Sequence, residues 1–176
     1  DAKMTKIIEG LASVKKHILS SEEITSLLQQ HLNCKGSSRL PVLMVVAAYQ
    51  AVKHLTKEFN KPLFAHNAAD SQTGAIGDIE ITLQGDDCTL TCYEMKKKKV
   101  STDDIYVCVE KIIKLQQMPD NYIFITTDCI DDDVKKLASS FYSKLGVEIA
   151  VLDCIGFINH FLHFFHRYRL SFLDHY

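Results

Sequence analysis

Three residues have the types and spacing to act on a phosphodiester bond: Asp78, then Glu94 sixteen positions on, then Lys96. They lie in "GDIEITLQGDDCTLTCYEMKKKK", residues 77–99, which reads as a hairpin with strands over 78–84 and 88–96. Alternation along a strand puts Asp78, Glu80 and Thr82 on one face and Ile79, Ile81 and Leu83 on the other. On the second strand Cys92, Glu94 and Lys96 share a face, and Tyr93 and Met95 take the opposite one. A three- or five-residue turn around Gly85-Asp86-Asp87 sets Asp78 opposite Glu94, with Cα atoms about 5 Å apart, and Glu80 opposite Cys92. A two-residue turn would send the two acids to opposite faces. Carboxylates that close repel unless something positive lies between them. Their hard oxygens suit Mg²⁺, with Mn²⁺ as a substitute. Lys96 reaches the same spot, where it can neutralise a phosphate or hold a water for attack. These are the parts of metal-assisted phosphodiester hydrolysis.

The ordinary explanation of such charges is a wet outer face of cross-strand pairs. Two features weigh against it here. Ile79, Ile81, Tyr93 and Met95 bury the other face of the hairpin. The hairpin also precedes an α-β-α-β order, which places it inside a sheet covered by helices. Charges turned toward such an interior are costly without a purpose.

The elements around the hairpin are read from periodicity and capping. Residues 4–19 carry Ile7, Ile8, Leu11, Val14, Ile18 and Leu19 at helical spacing. Ser20 and Glu23 form a capping-box pattern for a helix to about Leu32. Ser38 is expected to cap a largely apolar helix through Phe59, with Pro41 in its first turn. Residues 61–66 read as a strand, and 67–77 as a polar loop. After the hairpin, Ser101 with Asp104 starts a helix, and "NYIFITT" is an apolar strand. A helix over 131–146 has acids at its positive end and Gly146 as its stop. "VEIAVLD" is a strand, and an aromatic helix over 154–170 closes the chain. Three helices followed by β-β-β-α-β-α-β-α predict a mixed α/β (α+β) fold, a central mixed sheet flanked by helices. The expected division is an N-terminal helical segment over 1–60 packing on a core over 61–176, one globular unit in all.

On Asp78, Glu94-Met95-Lys96 and this order of elements, the chain resembles the PD-(D/E)xK nuclease superfamily, whose α-β-β-β-α-β core fits residues 39–126. More narrowly, "SRLPVLMVVAAYQ", "HNAADSQTGAIGDIEIT", "YEMKKKKV", "NYIFITTD" and "VLDCIGFINHFLHFFHR" look like the SacI-like family of type II restriction endonucleases. The resemblance covers most of the chain from Arg39 onward. It implies a restriction-endonuclease-like core in which Asp78 and Glu94 bind Mg²⁺ and Lys96 is the catalytic lysine. It further implies cleavage of double-stranded DNA at a specific sequence, as a homodimer on a palindromic site. One departure is visible: Gly77 stands where the superfamily often has proline. Such enzymes are longer than this chain, so a catalytic core of a longer polypeptide is expected.

Other residues could meet the DNA. His66, Asn67, Asp70, Ser71, Gln72 and Thr73 open directly beside Asp78, and Asn and Gln can read adenine in the major groove; a plain connecting loop explains them equally. Lys98, on the face assigned to Glu94, and Arg39, at a helix start beside Lys35, are candidate phosphate contacts. Lys97 and Lys99 read as solubilising. His160, His163 and His166 recur every three residues among aromatics, which favours packing over metal binding.

Composition excludes several classes. With 176 residues and 47% hydrophobic content the chain can bury a core and is not disordered. A net charge of −2 neither demands nor forbids nucleic acid. Neither a signal-peptide pattern nor an uninterrupted apolar span occurs. Six cysteines without C-x-x-C or zinc spacing read as reduced thiols, hence a cytoplasmic protein without membrane partners. The competing functional classes are a non-catalytic DNA-binding or assembly module with a nuclease-like fold, and a repair or recombination nuclease of the same superfamily.

Overall fold

The computed structural model describes residues 19–63, 75–115 and 118–176. Its centre is a five-stranded mixed sheet in the order β1-β2-β3-β4-β5: Glu58–Asn60, Ile79–Leu83, Thr91–Lys96, Asn121–Thr126 and Glu148–Asp153. The first three strands form an antiparallel meander, and β3, β4 and β5 run parallel. Helical crossovers join the strands of the parallel half, as parallel pairing requires.

Alternation gives the sheet two faces and two cores. Ile79, Ile81, Tyr93 and Ile125 pack against α1 (Ser21–Leu32), α2 (Leu40–Thr56), α6 (Cys154–Phe164) and α7 (Arg169–His175). Cys92, Tyr122, Phe124, Ile149 and Val151 pack against α3 (Thr102–Leu115) and α4 (Asp132–Ser140), with the short α5 (Tyr142–Leu145) beyond. Both faces of the sheet are therefore covered. Strand β4 is buried at Tyr122, Phe124, Ile125 and Thr126, as its apolar sequence predicts for an inner strand.

Several local expectations hold. Ser20 and Glu23 make a reciprocal capping box on α1, with Glu23 N donating to Ser20 Oγ at 3.1 Å and Ser20 N to Glu23 Oε2 at 2.7 Å. Ser101 and Asp104 do the same for α3. Gly146 ends α5 with φ of 72°.

Four expectations need correction. Ser38 does not cap α2. Residues Ser37–Arg39 form one 3-10 turn, the helix starts at Leu40 after Arg39, and Ser37 Oγ donates instead to Leu32 O at 2.7 Å. The helix expected to Phe59 stops at Thr56. Lys57 takes a left-handed conformation (φ 61°), and Glu58–Asn60 pairs with Leu83–Ile81; of the strand expected over 61–66, residues 61–63 are irregular and the rest lie outside the described residues. Cross-strand pairing there outweighs helical periodicity. The helix over 131–146 divides at Phe141. The last helix breaks at Phe165 (φ −104°, ψ 44°), after which α7 folds back so that fully buried Phe172 meets Phe161, ring centroids 5.8 Å apart. The expected helix over 4–19 lies outside the described residues, apart from Leu19.

Candidate active site

The observed register joins Ile79 to Tyr93 and Glu80 to Cys92, and its continuation sets Asp78 opposite Glu94. The turn is longer than expected, because pairing starts only at Thr91, yet the register is the expected one. Main-chain pairing between β2 and β3 ends at Ile79, and there the Asp78 side chain takes over: its Oδ2 accepts the Met95 N–H at 2.7 Å. Gly77 is what allows this approach. A Cβ at position 77 would stand 2.6 Å from the Tyr93 carbonyl oxygen, so neither alanine nor proline fits.

Glu94 and Lys96 share the sheet face that α3 covers, and the Lys96 ammonium is 3.5 Å from Glu94 Oε1. Asp104, in the first turn of α3, holds the same ammonium at 3.1 Å. Burial pushes the Glu94 carboxyl up, and the charge of Asp78 pushes it further, against the pull of Lys111, Lys96 and the Tyr122 hydroxyl. Burial alone would lower Lys96, but the Asp104 and Glu94 carboxylates hold it above the ordinary lysine value. Asp78 and Glu94 both offer hard oxygens and repel each other through their charges, a repulsion that a divalent cation between them would relieve. The donor set thus fits Mg²⁺ or Mn²⁺. Among the described residues no group of three His, Cys, Asp or Glu side chains converges on one point.

The sequence did not single out the groups that brace these acids. Lys111 Nζ donates to Ile76 O at 2.8 Å and lies 3.9 Å from Glu94 Oε2. The Tyr122 hydroxyl is 3.1 Å from Ile76 O and 3.2 Å from Glu94 Oε2. Burial, then the Glu94 charge, pushes this phenol up, so it is a neutral hydrogen-bond donor. Glu80, 9% exposed, receives the Ile76 N–H at 2.8 Å on one oxygen; Lys61 (2.9 Å) and Thr89 (2.9 Å) bind the other. A signal existed for Lys111: Asp104, Cys108 and Lys111 recur at i, i+4 and i+7, two charges on the stripe that holds buried Cys108. Cys108 itself, pushed up to about 12 by burial and then by Glu94, stays a protonated thiol.

The predicted DNA contacts fare unevenly. His66, Asn67, Asp70, Ser71, Gln72 and Thr73 lie outside the described residues. Strand β3 ends at Lys96, so Lys98 does not continue the Glu94 face; it sits exposed in the following bend, where its carbonyl accepts from Thr126 Oγ1 at 3.3 Å. Lys99 is more than solubilising, since it pairs with Asp131 at 2.6 Å. Arg39 is exposed before α2, whose start (Ser37, Pro41) lines a small cleft with Lys97 and Thr127. The three histidines are exposed: His160 stacks on Phe164, and His163 lies 3.4 Å from Glu22. None of the six cysteines is bonded to another, and no described helix is long and apolar enough to cross a membrane. Neither a protein-family model nor a curated protein matches this chain.

Proposed function

We propose that this chain is the catalytic core of a Mg²⁺-dependent, sequence-specific double-strand DNA endonuclease of the PD-(D/E)xK type, SacI-like, acting as a homodimer. One observation carries the reading: Asp78 faces Glu94 across β2 and β3 while Lys96, on the same face, reaches Glu94 at 3.5 Å. The element order α2-β1-β2-β3-α3-β4 supports it, being the α-β-β-β-α-β unit of that superfamily. Asp78 and Glu94 would hold the metal. When bound there, Mg²⁺ supplies Lewis-acid activation of the phosphoryl oxygen and an acidified water. Lys96 provides the positive charge that meets the growing negative charge on the phosphate, released from Glu94 once that carboxylate has another cation. Asp104 keeps the ammonium charged and aimed.

The test is digestion of plasmid DNA with Mg²⁺, repeated after the metal is removed with a chelator. Discrete fragments that disappear on chelation are the expected result. Asp78→Ala and Glu94→Ala should lose cutting while keeping the fold and DNA binding, and Lys96→Ala should lose about 10²–10³-fold. Cutting by Glu94→Ala at the wild-type rate would place the chemistry elsewhere. A smear or end-dependent degradation would point to a repair or recombination nuclease.

The paired state of Lys96 favours a second reading. Its charge is compensated within the protein by Asp104 and Glu94, as suits a nuclease-like fold that binds DNA or assembles without cutting. No heat on calorimetric titration with Mg²⁺ or Mn²⁺, together with no cutting, would support that alternative.

A further inference from the structure

Ile76 is completely buried, and its peptide groups are fastened on both sides. The N–H goes to Glu80 Oε1 at 2.8 Å. The carbonyl takes Lys111 Nζ at 2.8 Å and faces the Tyr122 hydroxyl at 3.1 Å. Two residues later comes Asp78. The same Tyr122 hydroxyl and the same Lys111 ammonium reach Glu94 Oε2, at 3.2 Å and 3.9 Å. Donor arithmetic makes the two side chains complementary. Ile76 O and Glu94 Oε2 both accept, and a phenol has one hydrogen to give. The Tyr122 hydrogen is shared between Ile76 O and Glu94 Oε2, while the Lys111 ammonium, with three hydrogens, can serve both acceptors at once.

We propose that Tyr122 and Lys111 are positioning residues that tie the segment carrying Asp78 to the Glu94 carboxylate, fixing the spacing of the two acids for a divalent cation. Neither touches the substrate. Both come from outside the hairpin, Tyr122 from β4 and Lys111 from α3, so the spacing is set by the sheet and its covering helix rather than by the hairpin alone. A polar partner that orients a metal-binding carboxylate commonly governs metal affinity by about 10–100-fold.

The inference rests on the nuclease reading of Asp78 and Glu94, and the experiment separates the two. Mn²⁺ alone is titrated into the full chain and binding is followed by its electron paramagnetic resonance signal. Tyr122→Phe removes one oxygen and keeps the ring; Lys111→Met keeps the length of the stem and removes the donor. Tyr122→Phe should bind Mn²⁺ about 10–100-fold more weakly and lower kcat with little change in KM for DNA. Lys111→Met gives a signed result. If Lys111 acted only through charge, removing a cation beside a metal site would tighten Mn²⁺ binding; if it anchors Ile76, binding weakens. Wild-type affinity in Tyr122→Phe, or tighter binding in Lys111→Met, overturns the proposal. Should Tyr122→Phe fail to fold by thermal melting, the sign of the Lys111→Met change decides. Glu94→Ala is the control. If it binds Mn²⁺ as the wild type does, the nuclease reading falls; if it alone loses binding, only the positioning role falls.

Discussion

The Lys96 ammonium lies 3.1 Å from Oδ1 of Asp104, whose other oxygen, Oδ2, accepts from the Ser101 N–H and hydroxyl at the start of α3. One carboxylate therefore starts a helix and restrains the lysine of the candidate site. The Lys96 stem gains a fixed direction from a group that is itself held by the backbone.

Separating these two duties is straightforward. Ser101→Ala removes the helix cap and should cost about 1 kcal/mol while leaving Lys96 paired. Asp104→Asn weakens the pairing with Lys96. Lys96 is held above its ordinary value, so removing an anionic partner lowers it. The alkaline limb of the cleavage profile, where the lysine loses its proton, should move to lower pH in Asp104→Asn and stay in place in Ser101→Ala. An unmoved limb in Asp104→Asn would detach Asp104 from Lys96.

Glu80 gives a pH prediction for stability. Burial pushes its carboxyl up, but the Ile76 N–H, Lys61 and Thr89 outweigh this and hold it below the ordinary glutamate value. A carboxylate depressed in the folded state contributes stability that is complete above the unfolded-state value and is lost as pH falls through the folded-state value. Urea unfolding of the metal-free protein should therefore show a loss of stability on acidification below the ordinary glutamate range that is smaller in Glu80→Gln. At neutral pH the same substitution should cost about 1–3 kcal/mol. Equal acid sensitivity of the two proteins would remove Glu80 as the source.

Gly77 should tolerate no side chain. The Cβ of alanine would meet the Tyr93 carbonyl at 2.6 Å, a backbone atom that cannot swing away. Gly77→Ala should lower stability by about 1–3 kcal/mol by overpacking, and should displace Asp78 from the Met95 N–H. Thermal melting and Mn²⁺ binding measure the two effects. An unchanged melting temperature would show that β2 and β3 can separate there at little cost.

The C-terminal turnback is expected to be part of the core. Phe172 is fully buried against Phe161 and the α2 face. Phe172→Ala should cost about 3–5 kcal/mol, read from the denaturant midpoint. A cost near zero would make α7 a loosely attached end.

Much of this architecture was legible in the residues themselves. Period-two alternation in "DIEITL" and "CYEMK" assigned the faces of the hairpin, because a strand must send successive side chains to opposite sides. The capping pairs Ser20–Glu23 and Ser101–Asp104 marked two helix starts, since the first amides of a helix need acceptors within reach. Where expectation failed, a distant partner decided. Nothing in "HLTKEFN", residues 54–60, announces that Glu58–Asn60 will pair with β2, and the aromatic run at 157–165 does not announce a break at Phe165.

The same division runs through the candidate site. Strand alternation alone put Glu94 and Lys96 on one face, and made Asp78 their neighbour in one register of the hairpin only; the observed pairing supplies that register. What holds them came from packing across the sheet: Tyr122 from β4, Lys111 and Asp104 from α3, and Lys61 beside Glu80. A buried carboxylate must find its donors wherever packing brings them, and packing joins residues by proximity in space rather than in the chain.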